Sequence, residues 1–111
     1  MLRLKSAIDF ERVRRDGRAH AHPLAVLIAC ANGTEFTRWG FAAGRRVGGA
    51  VRRNRAKRLL REAARTQAPN VAGGWDLLCI ARQPLGQATA AEARDVLSAL
   101  LHRANVVPNH V

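Results

Sequence analysis

The sequence predicts a single α+β domain, and three observations indicate this architecture. Helical and strand-like patterns follow one another in the order helix, strands, helix, strand, helix, which places helices against a sheet. The 111 residues, 48% of them hydrophobic, are enough to bury one modest core and too few for a second. No internal repeat or low-complexity segment interrupts this order, so we expect one domain.

The first helix is predicted between Ser6 and Gly17. Ser6 is a typical N-cap residue with Asp9 three positions later, and glycine commonly ends a helix. The apolar residues expected on its inner face are Ile8, Phe10 and Val13.

Strands are predicted where apolar runs are bounded by turn residues. Residues 24–31 form a continuous apolar run, as expected of a strand that is covered on both faces. In residues 37–43, period-two alternation puts Trp39 and Phe41 on one face, and we assign both rings to the core. The last strand covers residues 75–81.

A final helix is predicted from Thr89 to about His102. Thr89 and Glu92 match a capping box, in which each side chain accepts a hydrogen bond from the backbone N–H of the other residue. Residues 1–104 then form the domain, and residues 105–111 are expected to be a flexible C-terminal tail. The core-facing stripe of this helix consists of Val96, Leu97, Leu100 and Leu101.

Positive charge is concentrated in one segment, Arg45 to Arg65. This segment holds nine of the nineteen Lys and Arg residues, and Glu62 is its only acid. With a formal net charge of +11 for the whole chain, this density predicts binding to RNA or DNA, with an acidic protein as the less favoured partner. The alternative is a solvated helix face, but such a face normally interleaves acids with its bases.

A helix through this segment is amphipathic. If it begins near Val51, its apolar residues fall in one sector and its basic residues crowd the opposite side, at about 100° per residue. The preceding loop contains Gly44, Gly48 and Gly49, which let the backbone approach a bulky anion closely. A membrane-surface helix is disfavoured because the apolar sector is thin and lacks Trp and Phe. That sector consists of Ala56, Leu59, Leu60 and Ala63.

The sequence indicates a cytoplasmic location. No apolar run reaches the roughly 18 residues of a membrane-spanning helix, and the N-terminus lacks the apolar region of a secretory signal. Asp9, Glu11 and Asp16 argue against an organelle transit peptide. Cys30 and Cys79 lie in separate apolar runs, so we expect them to be reduced and buried.

Catalysis by the protein alone is not predicted. A metal-dependent nuclease needs clustered carboxylates, whereas the eight acids of this chain are scattered. His20 and His22, with Cys30 nearby, leave a zinc site conceivable, but solvated histidines before Pro23 are the simpler interpretation. We therefore expect no catalytic residue and no metal ligand in the protein itself.

The arginine-rich segment also carries a family resemblance. Residues 49–62, GAVRRNRAKRLLRE, resemble the RNR signature of the protein subunit of bacterial ribonuclease P, in which a basic helix follows a glycine-containing loop. Two further segments are similar to that family, and together the three cover most of the chain in the expected order. They are Leu4, Lys5, Asp9, Phe10 and Gly17 for its first helix, and residues 76–82 with Pro84 for its last strand.

The resemblance implies a more detailed fold than the patterns do. It implies an αβββαβα sandwich with a four-stranded sheet, of the ribosomal protein S5 domain 2-like type. It also implies a left-handed crossover between parallel strands through the RNR helix, whereas the general rule favours a right-handed one.

The resemblance implies a function as well. Members of the family assist a catalytic RNA in the hydrolytic, endonucleolytic removal of the 5′ leader from precursor transfer RNA. The RNA holds the Mg²⁺ ions, and one protein per RNA binds the RNA and the leader as an accessory subunit of the enzyme. The alternative is a general RNA-binding or ribosome-associated module, which gives no reason for Gly-Ala-Val directly before the arginine cluster.

Two sets of contact residues follow from the resemblance. Phe10, Arg14, Val26 and Ile28 would line a cleft for the single-stranded leader, although core packing is an equally open role for Phe10. Arg14 stands where a second aromatic is frequent, so we expect apolar contact and charge to outweigh stacking. Asn54 would fix geometry more than charge, or satisfy local backbone groups. The catalytic RNA would contact Arg45, Arg46, Arg52, Arg53, Asn54, Arg55, Lys57, Arg58, Arg61 and Arg65.

Overall fold

The computed structural model describes residues 1–108, and its elements follow the order αβββαβα after one additional short strand. The strands are β1 (Leu2–Arg3), β2 (Arg18–Ala21), β3 (Ala25–Ala31), β4 (Arg38–Ala43) and β5 (Trp75–Ala81). The helices are α1 (Ala7–Asp16), α2 (Ala50–Gln67) and α3 (Ala90–Arg103), with short 3-10 helices at Arg45–Val47, Ala68–Asn70 and Gln83–Gln87.

Both predicted helix caps are present. The Ser6 hydroxyl accepts a hydrogen bond from the Asp9 backbone N–H at 3.1 Å, and Gly17 is the C-cap of α1. At α3, the Glu92 N–H donates to the Thr89 hydroxyl and the Thr89 N–H donates to the Glu92 carboxylate, each at 3.1 Å. These bonds satisfy backbone N–H donors that the start of a helix leaves unpaired. The predicted starts of α1 and α3 are confirmed.

The five strands form one mixed sheet in the order β1-β4-β5-β3-β2. β4 and β5 are parallel neighbours joined through α2, so the basic helix is the crossover of the parallel pair. β3 runs antiparallel to both β5 and β2, and β1 runs parallel to β4. The sheet therefore has one strand more than the four that the resemblance implies. Sequence patterns do not predict the extra strand, β1, because two residues are too few to show alternation.

Two helices cover one face of the sheet and one helix covers the other. α2 and α3 pack on the main core, in which the rings of Trp39 and Phe41 stack 6.5 Å apart. On the opposite face, Val13 of α1 packs in a smaller cluster with Ile28 and Leu78. The predicted α+β sandwich is confirmed. Within residues 1–108, none of the helices is both long and apolar enough to cross a membrane.

The inner face of α1 is narrower than the sequence predicts. Val13 is buried and Phe10 is half-buried, but the side chain of Ile8 is 80% exposed. Ile8 and Val13 are five residues apart, which places them about 140° apart around the helix axis. A helix that rests on a sheet along one line cannot bury both residues, so the assignment of Ile8 to the inner face is wrong.

The packed domain continues past the last helix. Val106 is 1% exposed, and its carbonyl accepts a hydrogen bond from the Ala72 N–H at 2.8 Å. Val107 packs against the main core. The predicted tail, residues 105–111, therefore begins with residues that belong to the domain, and residues 109–111 lie outside the described part of the chain.

The two cysteines are buried and carry free thiols, as predicted. Cys30 faces the cluster beneath α1, whereas Cys79 faces the main core on the other side of the sheet. The sheet therefore separates their sulfur atoms. Burial raises the pKa of the Cys79 thiol to about 12.

Candidate nucleic-acid interface

Helix α2 exposes its basic side because its apolar side faces the core. Ala56, Leu60 and Ala63 are buried as predicted, and Ala64 joins them. The helix begins at Ala50 with no acidic residue in its first turn. The positive end of the helix dipole is therefore not neutralised by a carboxylate and favours an anion.

Most of the predicted RNA-binding side chains are available to a partner. Within residues 1–108, the side chains of Arg52, Arg53 and Arg58 have no hydrogen-bond or ion-pair partner, and neither does the Asn54 amide. Arg65 is partly neutralised by Glu62 at 2.8 Å. The exposed members are Arg45, Arg46, Arg52, Asn54, Arg58 and Arg65, and the half-buried ones are Arg53, Lys57 and Arg61.

Arg55 is engaged inside the protein. Its guanidinium donates to the carbonyl of Gly86 at 2.7 Å and to that of Ala88 at 3.0 Å. Both carbonyls lie between β5 and α3, so Arg55 fastens α2 to that connection. This geometry gives Arg55 a structural role, and we leave it out of the RNA contacts proposed below.

A 3-10 turn, Arg45–Val47, carries two exposed arginines from β4 toward α2. Val47 anchors the turn because its side chain is buried. Gly48 follows with φ of +136°, and a Cβ there would lie 2.8 Å from the Arg52 side chain. Glycine is therefore required where the chain enters the basic helix.

On the sheet face opposite α2, α1 leaves one row of side chains uncovered. The strand register aligns four apolar residues across β4, β5, β3 and β2. Each is at least partly exposed, whereas Leu78 and Ile28 in the neighbouring row are buried beneath α1. This exposed row, called the apolar strip below, consists of Ala42, Ile80, Val26 and Ala21.

Helix α1 forms the wall of a groove beside the apolar strip. Phe10 and Arg14 line a concavity of about 650 Å³ together with Phe41 and Ala42. Ala42 is the β4 end of the strip, so the wall and the floor meet there. The groove combines an aromatic edge, small aliphatic side chains and a free guanidinium.

The groove continues toward the arginines of the 3-10 turn. A second concavity of about 790 Å³ is lined by Ile80 of the strip and by His22, Arg45, Arg46 and Arg82. Ile80 is thus the centre of the strip and also one side of this basic concavity. The combination suits a single strand of nucleic acid, whose bases are apolar on their faces and whose backbone is anionic.

Three of the four predicted cleft residues lie at this groove. Phe10 and Arg14 are in its wall and Val26 is in the apolar strip. Ile28 is 8% exposed and lies against Gly17, where a Cβ would come within 2.7 Å of it. Ile28 therefore lies beside the apolar strip and beneath α1, where it packs against Val13 and does not line the groove.

Sequence patterns do not predict the role of Asp76, a buried carboxylate in β5. It lies beside the flank of α1 that faces away from the groove. It accepts hydrogen bonds from Arg38 at 2.7 and 2.9 Å, from the Asn32 amide at 3.0 Å, and from Arg12. Burial alone would raise the pKa of Asp76, but the hydrogen bonds from Arg38, Asn32 and Arg12 hold it below its ordinary value. The one available signal is a lone acid within the apolar strand WDLLCIA.

Sequence comparison connects this arrangement with known proteins. The ribonuclease P family model matches residues 1–105 of the chain. The ribonuclease P protein component of Roseiflexus castenholzii is 41% identical over 110 residues, covering 98% of this chain and 90% of that protein. The corresponding protein of Chloroflexus aurantiacus is 38% identical over 107 residues, covering 96% of this chain and 79% of that protein.

Solved structures agree with the sequence comparison. The RNase P protein of Staphylococcus aureus superposes with a TM-score of 0.86 at 29% identity, over 97% of this chain and 99% of that chain. The RNase P protein of Thermotoga maritima gives a TM-score of 0.82 at 29% identity, over 93% and 97% of the two chains. Sequence and fold match over nearly the full length, and the chain belongs to the ribonuclease P protein family.

Proposed function

We propose that this chain is the protein subunit of a bacterial ribonuclease P and assists a catalytic RNA in removing the 5′ leader from precursor transfer RNA. Family membership supports the proposal. The observation that carries it is the pair of surfaces on opposite faces of one sheet, the basic side of α2 and the groove beside α1. A general RNA-binding module needs only the first of these surfaces.

In this proposal, the basic side of α2 and the turn before it bind the catalytic RNA. Arginine suits this role because its guanidinium can contact a phosphate through two parallel hydrogen bonds. Each neutralised phosphate lowers the repulsion between the catalytic RNA and its RNA substrate. The proposed contacts are Arg45, Arg46, Arg52, Arg53, Asn54, Lys57, Arg58 and Arg61, with a weaker contribution from Arg65 because of its pairing with Glu62.

The groove is proposed to bind the single-stranded leader. The apolar strip offers contact to bases, and Arg14 and Arg82 offer positive charge to the phosphates. Phe10 is the aromatic residue of the α1 wall. Stacking on aromatic rings contributes about 1 to 3 kcal/mol per base, so a groove with few rings depends more on charge and apolar contact.

Mg²⁺ is proposed to be held mainly by the RNA partner, where it supplies the activation of water and the charge stabilisation of a phosphodiester hydrolysis. Residues 1–108 contain no group of three His, Cys, Asp or Glu side chains placed to hold a metal ion. The role of the protein in this step is electrostatic. Its arginines neutralise phosphates that would otherwise require additional Mg²⁺.

The proposal also assigns a location and a stoichiometry. One copy of the chain carries both surfaces, so one protein per catalytic RNA is sufficient. The expected site of action is the cytoplasm, where bacterial precursor transfer RNA is made.

Leader cleavage tests this function. A bacterial ribonuclease P RNA and a precursor transfer RNA are incubated at low, near-physiological Mg²⁺ with and without the protein. We expect the wild-type protein to restore cleavage and the Arg53→Glu, Arg58→Glu variant to fail. The Arg18→Glu, Arg94→Glu variant is the matched control, because it makes the same charge change at exposed positions outside α2 and the groove lining.

Two outcomes distinguish the interpretations, and one control measurement accompanies them. Rescue by wild type and control, but not by the α2 variant, supports a subunit that acts through α2. Tight, salt-sensitive RNA binding without rescue by any protein, with more than one type of catalytic RNA, contradicts the proposal and indicates a general RNA-binding module. A thermal unfolding curve for each variant separates loss of contact from loss of fold, since Arg53 is half-buried.

A further inference from the structure

Asp76 is the only buried charged side chain among residues 1–108, and it joins three separate elements. Arg12 reaches it from α1, Arg38 from β4, and Asn32 from the end of β3. Asp9 of α1 lies 3.6 Å from Arg12 and 3.8 Å from Arg38. The network therefore fastens one flank of α1 to the centre of the sheet.

Stability alone is a weak reason for such a network. A buried ion pair gains little net free energy, because the attraction between the charges is offset by their lost hydration. The network provides a fixed geometry instead, because three side chains must keep defined positions to donate hydrogen bonds to one buried carboxylate. The consequence for α1 is a defined orientation.

Helix α1 needs this fixation because its apolar attachment is small. It has 10 residues, and Val13 is the only one that is buried. Phe10 contributes a half-buried ring, and Ile8 contributes nothing because it is exposed. Val13 and the ring of Phe10 hold one side of the helix to the sheet, and a contact on the opposite flank is needed to fix its rotation about its own axis.

The second contact lies on the flank opposite the groove. Phe10 and Arg14 are each two residues from Arg12, so both lie about 160° from it around the helix axis. A rotation of α1 that moves Arg12 away from Asp76 therefore moves Phe10 and Arg14 relative to the apolar strip. The Arg12–Asp76 contact acts on the groove through the helix.

We propose that Asp76 is a positioning residue for leader binding: it holds Arg12, sets the rotation of α1, and so sets the width of the groove beside the apolar strip. This inference rests on the proposed function, because the groove is taken to bind the leader. It assigns to Asp76 a role in substrate discrimination without any contact to RNA.

The test uses the assembled complex of protein and catalytic RNA. Affinity is measured for a precursor transfer RNA with its 5′ leader and for the same RNA without the leader, and their ratio is the leader-dependent gain. We expect Asp76→Asn to reduce this gain by about tenfold, the size of one lost base contact. We expect its affinity for leaderless RNA and for the catalytic RNA to stay unchanged. Hydrogen exchange should speed up in α1 and not in α2 or α3.

Asp16→Asn is the matched control. Asp16 pairs with Arg15 on the exposed side of the same helix, so the variant has the same charge change without touching the network. If Asp76→Asn unfolds the protein, Arg12→Met replaces it, since Asp76 then keeps Arg38 and Asn32. Both substitutions are made in the full chain.

The outcomes separate this inference from the proposed function. An unchanged leader-dependent gain, or an equal loss for both RNAs, overturns the positioning role and leaves the proposed function intact. If the wild-type complex itself shows no leader-dependent gain, leader binding fails, and the positioning role fails with it. A selective loss in Asp76→Asn together with faster exchange in α1 supports both.

Discussion

The ring of Phe10 lies over Gly40, where a Cβ atom would come within 2.5 Å of the ring. Gly40 is paired with Leu78 in the sheet, and the missing side chain makes the space in which α1 approaches β4. Phe10 is therefore a packing residue and a groove residue at once. This contact gives Phe10 the packing role that the sequence leaves open, and its contact with the leader stays a prediction.

Gly40→Ala is expected to displace Phe10 and destabilise the protein. The new methyl group would also lie 3.1 Å from the Leu4 side chain and 3.2 Å from the Leu78 side chain, so it is crowded on every side on which a neighbour could give way. Overpacking of this kind costs about 1 to 3 kcal/mol of unfolding free energy, measured by denaturant titration. Gly44→Ala is the control, because nothing lies within 4 Å of its Cβ position. Equal stability of the two variants would contradict the close contact.

Arg55→Met is expected to destabilise the fold, because the carbonyls of Gly86 and Ala88 lose their donor. The expected loss is about 1 to 2 kcal/mol of unfolding free energy, since the site is only partly buried. Chemical denaturation measures it.

Arg58→Met is the comparison for Arg55, on the exposed side of the same helix. It should leave stability within about 0.5 kcal/mol of wild type. It should also reduce the slope of log affinity for the catalytic RNA against log salt by about one. A stability loss in Arg58→Met equal to that in Arg55→Met would contradict the distinction between the two residues.

Acid is expected to destabilise the wild-type protein partly through Asp76. The folded-state pKa of Asp76 lies below its ordinary value of 3.8, so its ionised form is favoured by folding. That stabilisation is present above the ordinary value and is lost as the pH falls through the folded-state pKa. Thermal unfolding followed from neutral pH to below pH 3.8 should therefore show a smaller decline in Asp76→Asn than in wild type. Parallel declines would show that Asp76 has no lowered pKa in the folded protein.

The Cys79 thiol is expected to be inert in the native state. Its pKa is raised to about 12 and its side chain is 1% exposed, so the reactive thiolate is neither formed nor reachable. Iodoacetamide at pH 8 should modify Cys79 only after the chain is unfolded in guanidinium, as followed by peptide mass spectrometry. If Cys79 in the native protein is modified as fast as in the unfolded chain, β5 opens readily and the expectation is wrong.

Local sequence signals predict the boundaries of the elements well. Ser6 and Thr89 act as caps through bonds to residues three positions away, so the information lies within one turn of helix. The alternation of Trp39 and Phe41 is similarly local, and both rings are in the core. The basic side of α2 follows from helical spacing alone.

Contacts between distant elements account for what the sequence does not predict. Arg55 has the same side chain as its neighbours, and only the fold shows that carbonyls at 86 and 88 receive its hydrogen bonds. Ile28 has the alternation of a lining residue, but the position of α1 covers it. Asp76 finds its donors in residues up to 64 positions away. No periodic pattern contains such pairings.

Helix α2 is the crossover between β4 and β5, and this position fixes the distance between its basic side and the groove on the opposite face of the sheet. A polyanion on α2 and a strand in the groove are separated by a layer of packed side chains and a hydrogen-bonded sheet. Their separation is therefore set by core packing, which resists compression, and not by the reach of flexible arginines. In a complex with the catalytic RNA and its RNA substrate, such a domain would act as a rigid spacer that keeps the two molecules at a constant distance.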